Sequence, residues 1–363
     1  MIAEKSLKRF YREIRRRVSL LMRMPLHFNE WIIPSYYPEK PQKPKISIVW
    51  HYFVYIVRFG WIPHFYLAYG LDCKERRTRD YMSYPSFMHY RDLFNTHAGD
   101  FRRIVQDKEQ FERFSKENGL LVASSLGVFD RFQKGVIINS AFFPFLDLCT
   151  RYPHLFLKPV DSIQGKNTFS IDYEENEFFF NDKPSTIEEI INTISSLNQT
   201  ILVQPRLKNH SKLDQLYCHS LNTLRVVSVW LNGKCYILGA LLRIGASGSI
   251  VDNWAYGGVA VGVNDDGSLK KYGFFKPGFG TKTDRHPDSG MVFESFVVPF
   301  YREAIELVER AQRVFSCVPT IGWDIAITEE GPLIIEGNDN YDGALLQCCC
   351  GGMKKEFLDF YHL

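Results

Sequence analysis

Several signatures that would assign a function at once are missing from this chain. Its 8 cysteines, at 73, 149, 218, 235, 317 and 348 to 350, include no Cys-x-x-Cys pair, and the adjacent Cys218 and His219 have no further ligands at zinc-site spacing. A zinc ribbon and a thioredoxin-type redox pair are therefore not expected. No Walker Gly-x-x-x-x-Gly-Lys-Ser/Thr occurs, which disfavours a P-loop mechanism. The apolar run at 46–71 is broken by His51, Arg58, Pro63 and His64, so no piece approaches the ~20 consecutive apolar residues of a membrane span. It reads as buried helix and turn. The amino terminus lacks an apolar core followed by a small-residue cleavage site, and the expected compartment is a reducing cytoplasm. A net charge of +3 makes no bulk electrostatic case for nucleic acid, and no basic groove with interleaved aromatics can be picked out.

What is present is a globular balance, 363 residues with 45% hydrophobic and 23% charged, enough for two or three packed subdomains. Residues 1–33 form a basic segment. Its first 23 residues carry Lys5, Lys8, Arg9, Arg12, Arg15, Arg16, Arg17 and Arg23 against Glu4 and Glu13, and an apolar stripe at three-to-four spacing runs from Leu7 to Met22. Two readings stay open: attachment to an anionic leaflet, with each nearby Lys or Arg worth about 1 kcal/mol, or docking of the stripe on the protein itself. Residues 34–45 hold four prolines and predict an extended linker separating that helix from the body.

Residues 46–119 read as helical, with a helix at 107–118 closed by Gly119. From 120 onward the texture changes to β-rich runs at 155–159, 168–173, 201–204, 223–231 and 234–242, interrupted by helical segments at 185–198 and 298–314. This predicts an α+β fold with antiparallel sheets. Three adjacent thiols at 348 to 350 would point in different directions on a helix, so buried small-residue packing is expected there.

The most informative stretch is 322–338, two short strands joined by a tight turn at 329–331. Side-chain alternation puts Glu336 and Asn338 on one face, and the antiparallel partner of Glu336 is expected to be Asp324 or its neighbour. Two carboxylates and an amide oxygen suit magnesium, which takes hard oxygen ligands and keeps places for water and phosphate. An ordinary hairpin with a solvated acidic face is the alternative. Lys158 stands on the otherwise apolar strand 155–159, where burying an ammonium is expensive unless an anion meets it; a snorkelling strand-end lysine is the other reading. Arg225 alternates with apolar residues and should point into a polar cleft, to grip phosphate or carboxylate or to pair with an internal acid. Asn222, Thr223 and Arg243 are weaker companions.

Asp324, Glu336 and Asn338 resemble, residue by residue, the metal-binding end of the ATP-grasp superfamily. The stretches at 219–227 (His-Ser-Leu-Asn-Thr-Leu-Arg-Val-Val), 286–290 (His-Pro-Asp-Ser-Gly), 319–324 and 331–338 are similar to the sugar-transfer-associated ATP-grasp group, with a likeness running from about 55 to 347. That resemblance implies an ATP-grasp fold whose core, 120–363, clamps ATP between a nucleotide subdomain at 120–207 and a metal subdomain at 208–363. It implies Asp324, Glu336 and Asn338 as magnesium ligands and Lys158 and Lys108 as phosphate lysines. It further implies 161–166, with Gly165 and Lys166, as the loop over the phosphates, and 201–207 as the hinge strand at adenine. The hinge contacts would be Gln204, Pro205, Arg206 and Leu207, although many superfamily members carry an acid where this chain has Gln204 or Pro205; Asn222 and Arg225 would add further contacts.

The implied activity is that of an ATP-dependent carboxylate-amine ligase working through an acyl phosphate, on small-molecule and sugar-linked carboxylates and amines of surface-polysaccharide or sugar-conjugate biosynthesis. A phosphotransferase on the same fold, or a non-catalytic nucleotide-binding module at a membrane, are the alternatives. Lys158, Arg225, Arg285 and His286 are the catalytic candidates. The last two lie in the Gly-rich segment 245–290, which reads as a long loop and is where the acceptor pocket is expected. His286 before Pro287 could equally cap a turn.

Overall fold

The structure, a computed structural model, describes residues 2–25, 35–160 and 167–362. Gly165 and Lys166 lie outside the described residues. Two antiparallel sheets dominate. The first holds β1 (Gly127–Asp130), β2 (Gly135–Ile138), β3 (Ala141–Pro144), β4 (His154–Pro159), β5 (Phe169–Glu174), β6 (Glu177–Phe180), β7 (Lys183–Ser185) and β8 (Ile201–Pro205), in the order β3-β2-β1-β8-β4-β5-β6-β7. The second holds β9 (Thr223–Leu231), β10 (Lys234–Ile244), β11 (Val259–Val263), β12 (Leu269–Phe274), β13 (Lys282–Thr283), β14 (Thr320–Thr328) and β15 (Gly331–Asn338), in the order β13-β12-β11-β10-β9-β14-β15.

Local chemistry explains much of this. The connections Asn139-Ser140, Glu175-Asn176, Asn181-Asp182 and Asn232-Gly233 each place both central residues at positive φ, the conformation of tight two-residue hairpin turns, and Asn tolerates it best after Gly. The helix Ile187–Ser196 opens with a capping box in which Thr186 and Glu189 satisfy each other's backbone N–H groups.

Each sheet buries one face on helices and turns a polar stretch of the other toward its partner. In the first sheet, Leu155, Leu157, Ile201 and Val203 pack with Phe145, Leu148 and Ile190 of the covering helices. The register pairs Phe156 with Gln204 and Lys158 with Leu202, so these four share the opposite face. In the second sheet, Leu224, Val226, Leu242, Trp323 and Ile325 face a core with Leu307 and Phe315 of the Tyr301–Val314 region. Thr223, Arg225, Arg243, Asp324 and Glu336 therefore fall on the other face.

The rest of that other face is covered by the helix Gly343–Cys350 and by the amino-terminal region. Here the expectation for 34–45 needs revision. Tyr36 and Tyr37 are buried against Phe274, and Tyr36 Oη donates to the carbonyl oxygens of Phe275 and Gly280 at 3.1 and 3.2 Å. Two tyrosines bury far more apolar area than prolines cost, so the segment straps onto the sheet. The basic helix Ile2–Arg23 is likewise tied down at its carboxyl end: Leu20, Leu21 and Met24 join the core, and Arg17 Nε donates to the Val57 carbonyl at 3.0 Å. Tyr11, Ile14, Val18 and Met22 stay exposed.

Residues 245–290 are not one long loop. They contain β11, β12 and β13; β11 is buried at every position and so lacks a period-two signal, and β13 is only two residues long. The 3-thiol segment behaves as expected: Cys348 and Cys349 are buried, and all eight thiols are free. Gly262 lets that helix approach, since a Cβ there would sit 2.5 Å from the Cys349 carbonyl oxygen.

Candidate active site

The hairpin β14–β15 pairs Asp324 with Glu336, and β9 pairs Arg225 with Asp324 from the other side. One row across three strands thus reads Arg225, Asp324, Glu336, and a register shift just after Asp324 turns the strand at that point. The next row is Val227, Gly322, Asn338. Asn338 Nδ2 donates to Glu336 Oε1 at 3.2 Å and to Asp324 Oδ2 at 3.5 Å. Beyond the strand end, Asp339 is buried and accepts from Arg102 Nε and Gln106 Nε2, which pins β15 to the helix Asp100–Gln106.

Arg225 grips Asp324 with both ends of its fork, Nε to Oδ1 at 2.5 Å and Nη2 to Oδ2 at 2.8 Å. Arg243 adds a third contact, Nη2 to Oδ2 at 3.2 Å, and its Nε lies 3.4 Å from Asp252 Oδ2. Asp252 in turn accepts from the Thr223 N–H at 3.0 Å and from its hydroxyl. Burial would raise the Asp324 carboxyl, but Arg225 and Arg243 outweigh it and hold it down at about 2. Burial pushes the Arg243 guanidinium down, and Asp252, Asp324 and Glu336 more than reverse that. Burial raises Asp252, against the pull of Arg243.

Across the cleft stands the face of the first sheet. Lys158 is 8% exposed and makes no hydrogen bond or ion pair among the described residues. Burial holds its ammonium below the usual lysine range, with Glu336 the largest opposing influence and Lys108 adding to the depression. Lys108 is the first residue of the helix Lys108–Glu117, capped by Asp107, and its Nζ donates to the Val160 carbonyl at 2.9 Å. Glu112 of the same helix accepts from the Ser125 N–H at 2.9 Å and from its hydroxyl at 2.7 Å, and Gln204 Nε2 donates to that hydroxyl at 3.2 Å. The cleft between the sheets is lined by Lys108, Lys158, Gln204, Pro205, Arg206, Leu207, Arg243, Asp252, Asp324 and Glu336, among others.

The structure therefore gathers Lys108, Lys158, Gln204, Pro205, Arg206 and Leu207 around one cleft, with Asp324, Glu336, Asn338 and Arg225 at its second-sheet side. Arg206 is partly engaged already, with Nη1 2.6 Å from Asp172 Oδ2. Three candidates are not brought there. Asn222 is fully buried, donating to the Tyr217 carbonyl at 2.6 Å and accepting from Ser220 Oγ at 3.0 Å, so its amide is used in holding the turn before β9. His286 caps its own turn: Nε2 is 2.7 Å from the Gly245 carbonyl, and Nδ1 accepts from the Asp288 and Ser289 N–H groups at 3.3 and 3.4 Å. Both ring nitrogens face backbone, which leaves none for proton transfer. Arg285 lies on the outside with its Nε 3.1 Å from Asp284 Oδ1. Arg243, a weaker companion by sequence, gains its weight by meeting Asp324 across strands and Asp252 from the connection after β10.

Asp324, Glu336 and Asn338 offer only hard oxygen donors, and among the described residues no group of three or more His, Cys, Asp and Glu side chains is placed to hold a metal. Two carboxylates and one amide leave most of a coordination sphere to water and phosphate, which fits magnesium.

The comparison with curated proteins returned no match. Among solved structures, the chain is similar to the ADP complex of purK, an N5-carboxyaminoimidazole ribonucleotide synthetase, at 11% identity over 66% of this chain and 46% of that one, with a TM-score of 0.39. The ATP-grasp ligase PsnB with its minimal precursor matches at 13% identity, 74% of this chain and 63% of that one, and a TM-score of 0.39. D-alanyl-alanine synthetase A from Vibrio cholerae O1 biovar eltor str. N16961 matches at 12%, with 69% and 66% coverage and a TM-score of 0.36. The chain spans about half the length of the first of these and somewhat under two thirds of the other two. The family profile described as sugar-transfer associated ATP-grasp matches residues 89–355, well over half of the sequence, and takes in both sheets and the whole Arg225–Asp324–Glu336 row. The chain belongs to the sugar-transfer associated ATP-grasp family.

Proposed function

We propose that the protein is an ATP-dependent carboxylate-amine ligase acting in surface-polysaccharide or sugar-conjugate biosynthesis. The observation that carries this reading is the buried Lys158 ammonium, which has no partner among the described residues and faces an oxygen-donor row across the cleft. A buried cation without a counter-charge is costly, and phosphates entering between the sheets would supply one. Lys158 and Lys108 would then bind the phosphates of the substrate ATP. Asp324, Glu336 and Asn338 would hold magnesium, which neutralises phosphate charge and keeps phosphates aligned when bound. The backbone at Gln204 to Leu207 would face the adenine.

In this reading a carboxylate oxygen of the acceptor attacks the γ-phosphorus, the bond to the β-phosphate bridging oxygen breaks, and ADP leaves. An amine then attacks the acyl carbon and expels phosphate, losing a proton. Arg225, positioned by Asp324, would steady the charge on the transferring group. No side-chain nucleophile is needed. A further part of the proposal concerns placement. The exposed Tyr11, Ile14, Val18 and Met22 of the basic helix and the exposed Ile46, Trp50 and Val57 of the helix Lys45–Phe59 would rest on an anionic leaflet at the cytoplasmic face.

The test is chemical trapping. Candidate uronic acids and amino acids are incubated with ATP, magnesium and hydroxylamine; a ligase releases ADP and phosphate and yields a hydroxamate. ADP release with a stable phosphoester and no hydroxamate would establish a phosphotransferase instead.

A further inference from the structure

A second cavity, of about 820 Å³, lies apart from the nucleotide cleft and shares no lining residue with it. Its walls are the His51, Tyr55 and Phe59 side of the helix Lys45–Phe59 and the turns that follow; Lys276 from the β12–β13 connection, Asp342 and Lys354 complete it. Aromatic rings make much of the surface and are held rigidly by one another. Phe65 stacks on Trp254 and on Tyr69 with centroids 6.0 and 6.1 Å apart, Trp61 lies 6.2 Å from Tyr84, and Tyr55 Oη accepts from the Tyr84 N–H at 3.2 Å.

Charge in this cavity is one-sided. Arg58, Arg79, Lys276 and Lys354 line it against the single carboxylate of Asp342. Lys276 and Lys354 make no side-chain hydrogen bond or ion pair among the described residues, although both are half-buried. Flat rings with cations at the margin suit a ring-shaped ligand that carries a negative group.

One wall residue of the cavity, Asp342, adjoins a residue packed on the reactive row. Gly322 lies between Val227 and Asn338, and a Cβ on it would stand 2.7 Å from Tyr341 Cβ, so Tyr341 rests on the row beside Asp324. Asp342 follows directly, is open to the cavity and accepts from the Ala344 N–H at 2.7 Å, and it lies near enough for Arg225 to favour its charged form. Asp342, a wall residue of this cavity, thus lies within electrostatic reach of Arg225, which grips Asp324 of the cleft.

We infer that this cavity is the acceptor site and that it binds a sugar ring bearing an anionic group, either a carboxylate or a phosphate. Its description as an acceptor rests on the ligase reading above; the binding does not. Calorimetric titration of the full chain with glucuronate, galacturonate, glucose 1-phosphate and neutral glucose tests it, with ADP titrated in parallel. At least one anionic sugar should bind saturably and glucose at least about tenfold more weakly, the uronate and phosphate arms telling which anion is read. Lys276→Ala and Lys354→Ala should each weaken that binding by about tenfold while ADP affinity and thermal unfolding stay at wild-type values. No saturable binding by any of the three anions, or undiminished binding in the Lys276→Ala, Lys354→Ala double variant, would overturn the inference. Loss of ADP binding alone would overturn the nucleotide reading and leave this site standing.

Discussion

The two sides of the cleft treat buried charge in opposite ways. On the second sheet, Arg225 and Arg243 are matched by Asp324 and Asp252, and the network is closed within the protein. On the first sheet, Lys158 is as deeply placed and has no matching acid in contact among the described residues. A closed network is rigid with or without ligand and costs little reorganisation when charge develops near it. An open one is a cost to the fold that a ligand relieves. The difference assigns geometry to the second sheet and affinity to the first.

The sharpest way to break this comparison is Asp324→Ala. It strips Arg225 of its counter-charge and leaves Arg243 with Asp252 alone, so unfolding should require about 3–5 kcal/mol less, and ATP turnover should fall by about a hundredfold or more. Denaturant melts and ADP release measure the two; retained stability would mean the network is not what holds Arg225 and Arg243. Glu336→Ala should lose turnover to a similar degree, about a hundredfold, with stability nearly intact because its neighbours stay paired. Near-normal magnesium-dependent turnover in that variant would end the metal reading.

Lys158→Ala sharpens the other side. Nucleotide affinity should drop about tenfold or more while stability holds or rises, since an uncompensated buried charge is removed. Unchanged affinity by calorimetry would make Lys158 structural. Its titration gives a subtler check. The folded Lys158 is held below the ordinary 10.5, so it releases its proton before the unfolded chain does, and apo stability should rise with pH across the interval between the two values. Phosphate contact would restore the proton. ADP binding at alkaline pH should therefore take up protons, read as a dependence of binding heat on buffer ionisation enthalpy, and Lys158→Ala should abolish that dependence. The smallest effect is expected from deleting residues 1–23. Co-sedimentation with anionic liposomes should weaken while ADP release stays within about twofold, because no described residue of this helix lines the cleft. Undiminished sedimentation would argue against leaflet contact.

Much of this contrast was legible before any coordinates. Period-two alternation and a tight turn put Asp324 opposite Glu336, with Asn338 on the same face, because register in a short hairpin has little freedom. A lone lysine in an apolar strand marked Lys158 for the same local reason. The strands β1, β2, β3, β6 and β7 were missed because they are short, and their turns are marked only by paired residues at positive φ. Arg285 and His286 were misplaced by proximity in sequence to a Gly-rich run; local composition does not say which way a turn faces.

By itself the sequence determined what lies within one hairpin or one helix: the Asp324 and Glu336 pair, the capped helix beginning at Lys108, the burial of Cys348 and Cys349. Only the tertiary structure decided what residues far apart in the chain do to one another. Arg225 could have gripped a ligand or an internal acid, and folding chose Asp324, 99 positions away. The aromatic residues of 46–71 read as core, yet they wall a cavity, because Lys276, Asp342 and Lys354 arrive from the far end of the chain to charge its margin. Backbone geometry constrains neighbours to within a few residues, whereas the electrostatics of a site is a sum over whatever the packed sheets bring together.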